Sequence, residues 1–165
     1  MMNDSTKQHT DDVVAVFAEA VPNRTRPSVY PAPIGNRFEG RAKKVLGDVF
    51  GIQKFGVNLT RLAPGAYSSL RHAHSMEEEF VYILSGQPTL RTNRGDTQLR
   101  PGMCAGFRAG NGDAHQLINL SDQDVVFLEI GDRVEGDTVS YPDDDLAARK
   151  IDGQWLFFHK DGSAY

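Results

Sequence analysis

From Phe55 onward, apolar and polar side chains alternate in short runs, and glycine or proline interrupts nearly every one. Phe55–Leu62 alternates and stops at Pro64-Gly65, which predicts a strand with one buried face. Residues 79–84 are rich in β-branched and aromatic side chains and end at Ser85-Gly86. Thr89–Thr92 and residues 96–100 flank Asn93-Arg94-Gly95, a hairpin signal. Pro101-Gly102 opens a further strand, and residues 114–120 and 125–130 pair across the turn at 121–124. About eight strands at short, regular spacing predict an all-β barrel or sandwich.

The two ends break this pattern. The first ten or so residues are polar and read as disordered. Residues 11–21 predict a short helix, opened by Asp11 and Asp12 and closed by Pro22. Residues 24–34 are proline-rich and read as an extended arm over the surface or a neighbouring subunit. In the tail, residues 143–150 place acids first and bases last, the arrangement a helix dipole favours. Residues 151–158 then predict a hairpin about Asp152-Gly153, whose Trp155, Phe157 and Phe158 need cover. The chain thus divides into an arm over 1–30, a barrel over 31–140 and an extension over 141–165 that packs on the barrel or a dimer interface.

Composition narrows the partners. At 165 residues the chain is long enough for one domain with its own core. A net charge of -4 provides no basic footprint, which argues against nucleic acid. A polar N-terminus without an apolar core segment is not a secretory signal, and no apolar run nears the roughly 20 residues a bilayer requires. The expectation is a cytoplasmic protein that acts on a small molecule, with no membrane partner. The single cysteine, Cys104, excludes an intrachain disulfide and, beside Ala105 and Phe107, reads as a small buried thiol. Arg37, Arg41, Lys43 and Lys44 form a basic cluster, read as a solvated face or as a patch that attracts an anionic substrate.

Two glycine-punctuated blocks hold the candidate chemistry. The first runs from Gly65 through His72, His74, Glu77, Glu78 and Glu79 to Gly86; the second runs from Gly102 through Arg108, Gly110 and His115 to Asn119. On a strand, residues two apart share a side, so His72 and His74 can present both imidazoles to one point. Imidazole and carboxylate together suit a divalent transition metal with coordination positions left open.

These blocks resemble the paired motifs of the cupin superfamily. The first is glycine, about five residues, His-x-His, three or four residues, Glu, six residues and Gly. Here six residues separate Gly65 from His72, four separate His74 from Glu79, and six separate Glu79 from Gly86. The second is glycine, five residues, Pro-x-Gly, two residues, His, three residues and Asn. Here Arg108 replaces the proline, and the loop before His115 is two residues longer. Beyond the blocks, the string at 55–59 and the segments at 129–133 and 141–146 resemble a group of small bacterial single-domain cupins, over most of residues 30–165. Sugar-phosphate isomerase is among the labels that group has been given.

The resemblance implies a double-stranded β-helix, or jelly roll, with His72, His74, Glu79 and His115 as ligands of one divalent metal (Fe, Mn, Zn or Ni). Glu79 is preferred to its neighbours by its spacing to Gly86. With Glu79 inward, Val81 and Ile83 face the lumen, and Glu78 lies outward or at the rim as a candidate catalytic base. Tyr67, Arg108 and Asn119 are candidate substrate contacts, with Arg61 and Tyr82 also near the pocket or its rim. Arg108 reads also as a surface turn residue and Asn119 as the close of a turn, and His9 and His159, outside the motifs, read as surface residues. The implied activity is a metal-dependent isomerase or epimerase acting on a small oxygenated molecule such as a sugar phosphate. An Fe(II) dioxygenase and a non-catalytic module binding a small molecule or metal remain alternatives. A basic, phosphate-sized subsite would favour the isomerase, and an aromatic-lined pocket would favour oxygen chemistry. The partly apolar outer face at Gln116, Ile118 and Leu120 and the adjacent apolar strand need cover from the tail or a second subunit, and a homodimer is expected.

Overall fold

Alternation along β4 (Glu79–Ser85) sorts its side chains cleanly: Val81 and Ile83 are buried, while Phe80, Tyr82 and Leu84 are exposed. The computed structural model describes residues 13–25 and 28–165. Before β4 come β1 (Arg41–Val45), β2 (Phe55–Leu62) and β3 (Ala73–His74), with one short helix, α1 (Leu46–Val49), between the first two. After it come β5 (Thr89–Thr92), β6 (Gly95–Gln98), β7 (Cys104–Phe107), β8 (Gln116–Ile118) and β9 (Val125–Asp132). The chain ends with β10 (Thr138–Tyr141), β11 (Leu146–Ile151) and β12 (Gln154–Phe158).

Among the described residues all the strand pairs are antiparallel, in sheets ordered β1-β2-β9-β4-β7, β12-β11-β10-β3 and β6-β5-β8. This is the all-β jelly roll that the strand spacing and the motifs led us to expect. The smaller sheets meet at two isolated bridges, His72 with His115 and Tyr67 with Ile118. One core cluster joins Leu62, Ile83, Val125 and Phe127 of the large sheet to Leu90 and Leu117 of the three-stranded sheet. Full burial of each such side chain contributes on the order of 1.5–3 kcal/mol. A second cluster joins Ile34 and Phe38 to Val139, Tyr141, Leu146 and Ala148, with Tyr30, Trp155 and Phe157 packed against it. The tail hairpin is therefore part of the wall, turning at Asp152 (φ 51°) and Gly153 (φ 71°), the two left-handed positions a tight hairpin needs.

Four expectations are corrected. The helix expected over 11–21 is absent from its described part: residues 13–17 lack regular structure, and Ala18–Ala20 form one 3₁₀ turn. Asp11 and Asp12, like His9 and the polar terminus, lie outside the described residues. The segment instead leans on β1, where Lys44 Nζ donates to the carbonyls of Glu19 and Val21, and Arg24 N–H donates to Lys43 O. The helix expected over 143–150 is mostly strand β11, because Leu146 and Ala148 alternate into the second core between two hydrogen-bonded neighbours. Tertiary pairing overrides the charge pattern there. Cys104 is exposed, since it stands opposite Tyr82 on the outward face of the large sheet. Gln116 and Ile118, expected on an open outer face, are buried, whereas Leu120 is exposed. Among the described residues no helix is long and apolar enough to cross a membrane.

Candidate metal centre

Four side chains from separate elements meet inside the barrel. His72 precedes β3, where its N–H and C=O exchange hydrogen bonds with His115 at 3.1 and 2.8 Å. His74 closes β3 opposite Val139 of β10. Glu79 opens β4 between Phe107 on β7 and Gly131 on β9. A Cβ at Gly131 would sit 3.3 Å from Glu79 Cγ and 3.4 Å from Glu78 O, so only glycine leaves the carboxylate its place without a shift.

The three imidazoles focus on one atom. His115 Nε2 lies 2.9 Å, His72 Nε2 3.3 Å and His74 Nε2 3.6 Å from Glu79 Oε2. Bonds of about 2.1 Å to a shared ion would hold ligand atoms roughly 3–3.5 Å apart, a range that the observed 2.9–3.6 Å to Glu79 Oε2 brackets. His72 Nδ1 donates to Leu70 O at 2.8 Å, and His74 Nδ1 donates to Asp137 Oδ2 at 2.5 Å. A carbonyl and a carboxylate only accept, so both imidazoles have their proton on Nδ1 and turn Nε2 toward Glu79. Glu79 Oε2 is buried and receives no well-directed hydrogen bond. Nitrogen lone pairs facing a carboxylate oxygen repel one another, and a cation among them reverses the sign of each contact. His72, His74 and Glu79, whose ligand atoms all lie within 4.8 Å of one another, thus fit a divalent metal, with His115 Nε2 beside them on Glu79 Oε2.

The electrostatics agree with that geometry. Burial pushes the Glu79 carboxyl up, but the His115 and His72 imidazoles outweigh it and hold it well below the usual carboxylate range. Burial opposes the charged form of His72, yet the Glu79 carboxylate prevails and the net shift is upward. Burial lowers the pKa of His115, and Phe107 stacks on its ring at 3.5 Å. Without a metal, His72 thus gains the proton whose place a metal would take.

A cavity of about 240 Å³ opens beside the cluster. Arg24, Arg41 and Lys43 line it, as do Tyr30, Trp155 and Phe157. Arg41 Nη1 donates to Ser68 O at 2.5 Å, and Lys43 is ion-paired with Glu129, which Asn58 Nδ2 also holds at 3.1 Å. Of the basic cluster, Arg41 and Lys43 face the cavity, while Arg37 pairs with Asp144 outside and Lys44 ties down the arm.

Several candidate residues lie elsewhere. Glu78 is exposed one position out of phase with Glu79 and lines a shallow outer groove with Arg108 and Asp132. Arg108 is exposed and borders that groove and a small void lined by His74, Glu79 and His115, but it does not line the main cavity. Tyr67 is exposed, and its backbone bridges Ile118; Ser68 and Ser69 line the cavity in its place. Asn119 is fully buried and clamps the turn before β9, donating to Leu62 O and Gln123 O and accepting from Ser121. Arg61 pairs with Asp124 at the surface, Tyr82 is exposed on the outer face, and His159 pairs with Asp145. Asp137, Glu129, Arg24 and Trp155 were not among the sequence candidates; each comes from an arm, strand or tail outside the two motifs.

An antiparallel jelly roll with a His/Glu cluster at one end of its lumen defines a small β-barrel protein with a candidate metal site. The Cupin domain family matches residues 58–131. A sugar phosphate isomerase from a cupin superfamily of Silicibacter pomeroyi is 38% identical over 92% of this chain and 96% of its own, with a TM-score of 0.86. A putative sugar phosphate isomerase from Acidithiobacillus ferrooxidans is 33% identical over 76% of this chain and 80% of its own, with a TM-score of 0.69. The polyketide cyclase RemF from Streptomyces resistomycificus, 18% identical over 73% of this chain and 79% of its own with a TM-score of 0.59, shares the fold. No curated protein sequence matches the chain. The chain belongs to the cupin superfamily.

Proposed function

We propose that this protein is a metal-dependent enzyme of the isomerase or epimerase type acting on a small phosphorylated sugar. The observation that carries this reading is the pairing, in one cavity, of the His72, His74, Glu79 and His115 cluster with the cations Arg24, Arg41 and Lys43. The names of the two relatives above 30% identity point the same way.

A divalent metal bound at the cluster supplies Lewis acidity toward a carbonyl or hydroxyl oxygen. The side chains do the rest. Arg24, Arg41 and Lys43 attract the phosphate and orient the sugar toward the histidines. With Glu78 outside, the carboxylates that line the cavity beyond the cluster are Glu77 and Glu129. Glu77 Oε1 is committed to Lys150 Nζ at 2.6 Å and to Val134 N–H at 2.9 Å. Glu129 is held too, by Lys43 and Asn58, but its side chain is the more exposed, 21% against 9%, which makes it the candidate base. Trp155, Phe157 and Tyr30 wall the site and limit water.

The test is a panel of sugar phosphates and the matching free sugars, incubated with metal-loaded protein in D₂O and followed by proton NMR. Deuterium entering next to the carbonyl of a phosphorylated sugar, and not of its free counterpart, supports the reading. The aromatic wall favours the second reading, an Fe(II) dioxygenase, which the same protein tests by metal-dependent O₂ uptake. Binding of panel compounds without turnover would support a non-catalytic module. The outer face of β4, with Phe80, Tyr82 and Leu84 each 39–44% exposed, is the surface on which we place a second copy.

A further inference from the structure

The three imidazoles are not backed alike. Behind His74 stands a carboxylate with no exposed surface: Asp137 Oδ2 accepts from Nδ1 at 2.5 Å. Behind His72 stands the neutral carbonyl of Leu70 at 2.8 Å, with Ser69 Oγ at 3.3 Å. Behind His115, Nδ1 is buried and has no hydrogen-bond partner among the described residues.

Asp137 is itself fixed. Its Oδ1 accepts from Met76 N–H at 2.7 Å and Ser75 Oγ at 2.9 Å, and its backbone carbonyl accepts from Lys150 N–H at 2.9 Å. The hairpin β10–β11 and the loop after β3 therefore hold one carboxylate oxygen on the back of His74. A buried carboxylate with one oxygen spent on neutral donors is costly unless the other meets a strong donor. An imidazole N–H that hardens as Nε2 gives its lone pair to a cation is such a donor, and the carboxylate in turn raises the basicity of Nε2.

We propose that Asp137 is a positioning residue that makes His74 the anchoring ligand of the metal centre, leaving His115, with no partner behind it, as the ligand most readily released. The ranking follows from donor strength: the carboxylate-backed imidazole binds tightest, the carbonyl-backed one next, the unbacked one least. His115 is held by stacking on Phe107, which fixes its plane without adding charge. Release at His115 would leave His74, His72 and Glu79 to hold the metal. The proposal rests on metal binding at this cluster and extends it to which residue sets its strength.

The test is a double-mutant cycle on zinc affinity, measured by chelator competition on the full chain, with thermal melts of the metal-free proteins alongside. Asp137→Asn is expected to weaken zinc by about 10–100-fold when His74 is present, and by less than about threefold in the His74→Ala background. An equal loss in both backgrounds, or none in the first, overturns the proposal, since a merely structural carboxylate would not act through His74. Should Asp137→Asn fail to fold, the single variants decide: His74→Ala must lose more zinc affinity than His115→Ala, and the reverse order overturns the ranking. If the unaltered protein binds no metal at all, the metal reading itself fails, a result distinguishable from a failed cycle.

Discussion

His115 Nε2 stands 2.9 Å from Glu79 Oε2, although one residue precedes β8 and the other opens β4 on a different sheet. His72 and His74 approach the same oxygen from β3 and the residues just before it. This convergence is the centre of the candidate metal site.

Glu79 and Glu78 separate by function because they alternate. Glu79→Gln removes the charge at the centre of the cluster and is expected to weaken metal by more than about 100-fold, beyond the roughly 10–100-fold typical of losing a partner behind a ligand. Glu78→Gln is expected to leave metal affinity and activity within about twofold, because its carboxylate faces the outer groove. Chelator competition on both variants checks this. A large loss in Glu78→Gln would place the wrong glutamate at the centre.

Acid should weaken the metal site. The raised pKa of His72 stabilises the metal-free fold below the unfolded histidine value, and that contribution is lost as pH rises through the folded value. The depressed pKa of Glu79 stabilises it above the unfolded carboxylate value, and that contribution is lost only as pH falls through the folded value. Glu79 thus stays ionised across the neutral range while His72 takes up a proton that competes with metal. The rise in melting temperature on adding zinc should therefore grow between about pH 5.5 and about pH 8, a window spanning the ordinary histidine pKa. A rise that shrinks over that window would contradict the assignment.

The pair Glu77 and Lys150, only 9% and 11% exposed, ties the tail to the loop after β3 at 2.6 Å. Lys150→Ala leaves that carboxylate buried without its cation and should cost about 3–5 kcal/mol, whereas Glu77→Gln combined with Lys150→Met should cost much less. Chemical denaturation of the metal-free variants measures both.

Arg24 reaches the cavity from the N-terminal arm. Arg24→Ala should raise the KM for a phosphorylated substrate about tenfold, as losing one charge-assisted contact predicts, and leave metal content unchanged. Titration with inorganic phosphate offers the same comparison without turnover. Equal binding by both proteins would remove Arg24 from the anion subsite.

Phe80→Asp together with Tyr82→Asp should turn a dimer into a monomer in light scattering without changing the metal affinity, since both side chains point away from the lumen. A monomer before substitution would remove the second copy from that face.

The sequence made the four cluster residues legible because the motif spacing and strand alternation agree: Glu79, Val81 and Ile83 fall on one face, and His72 and His74 on another. Asp137 carries no such signal, being one of many acids and brought to His74 by the pairing of β10 with β3. Arg24 and Trp155 enter the cavity from the arm and the tail, whose paths depend on the packing around Tyr141 and Phe38. Residues 143–150 read as a helix from their charges, but the buried alternation of Leu146 and Ala148 decides for strand once β10 and β12 are present to pair. Asn119 fell in motif position, where the sequence allows a ligand contact or the closing of a turn, and both ends of its amide are spent on the turn.

The most direct measurement is elemental analysis of the protein purified anaerobically, beside a His72→Ala/His115→Ala variant prepared in the same way. The account predicts close to one transition-metal ion per chain in the unaltered protein, or after reconstitution, and its loss in the variant. An unaltered protein that holds no metal even after reconstitution, or a variant that retains it in full, would contradict the account.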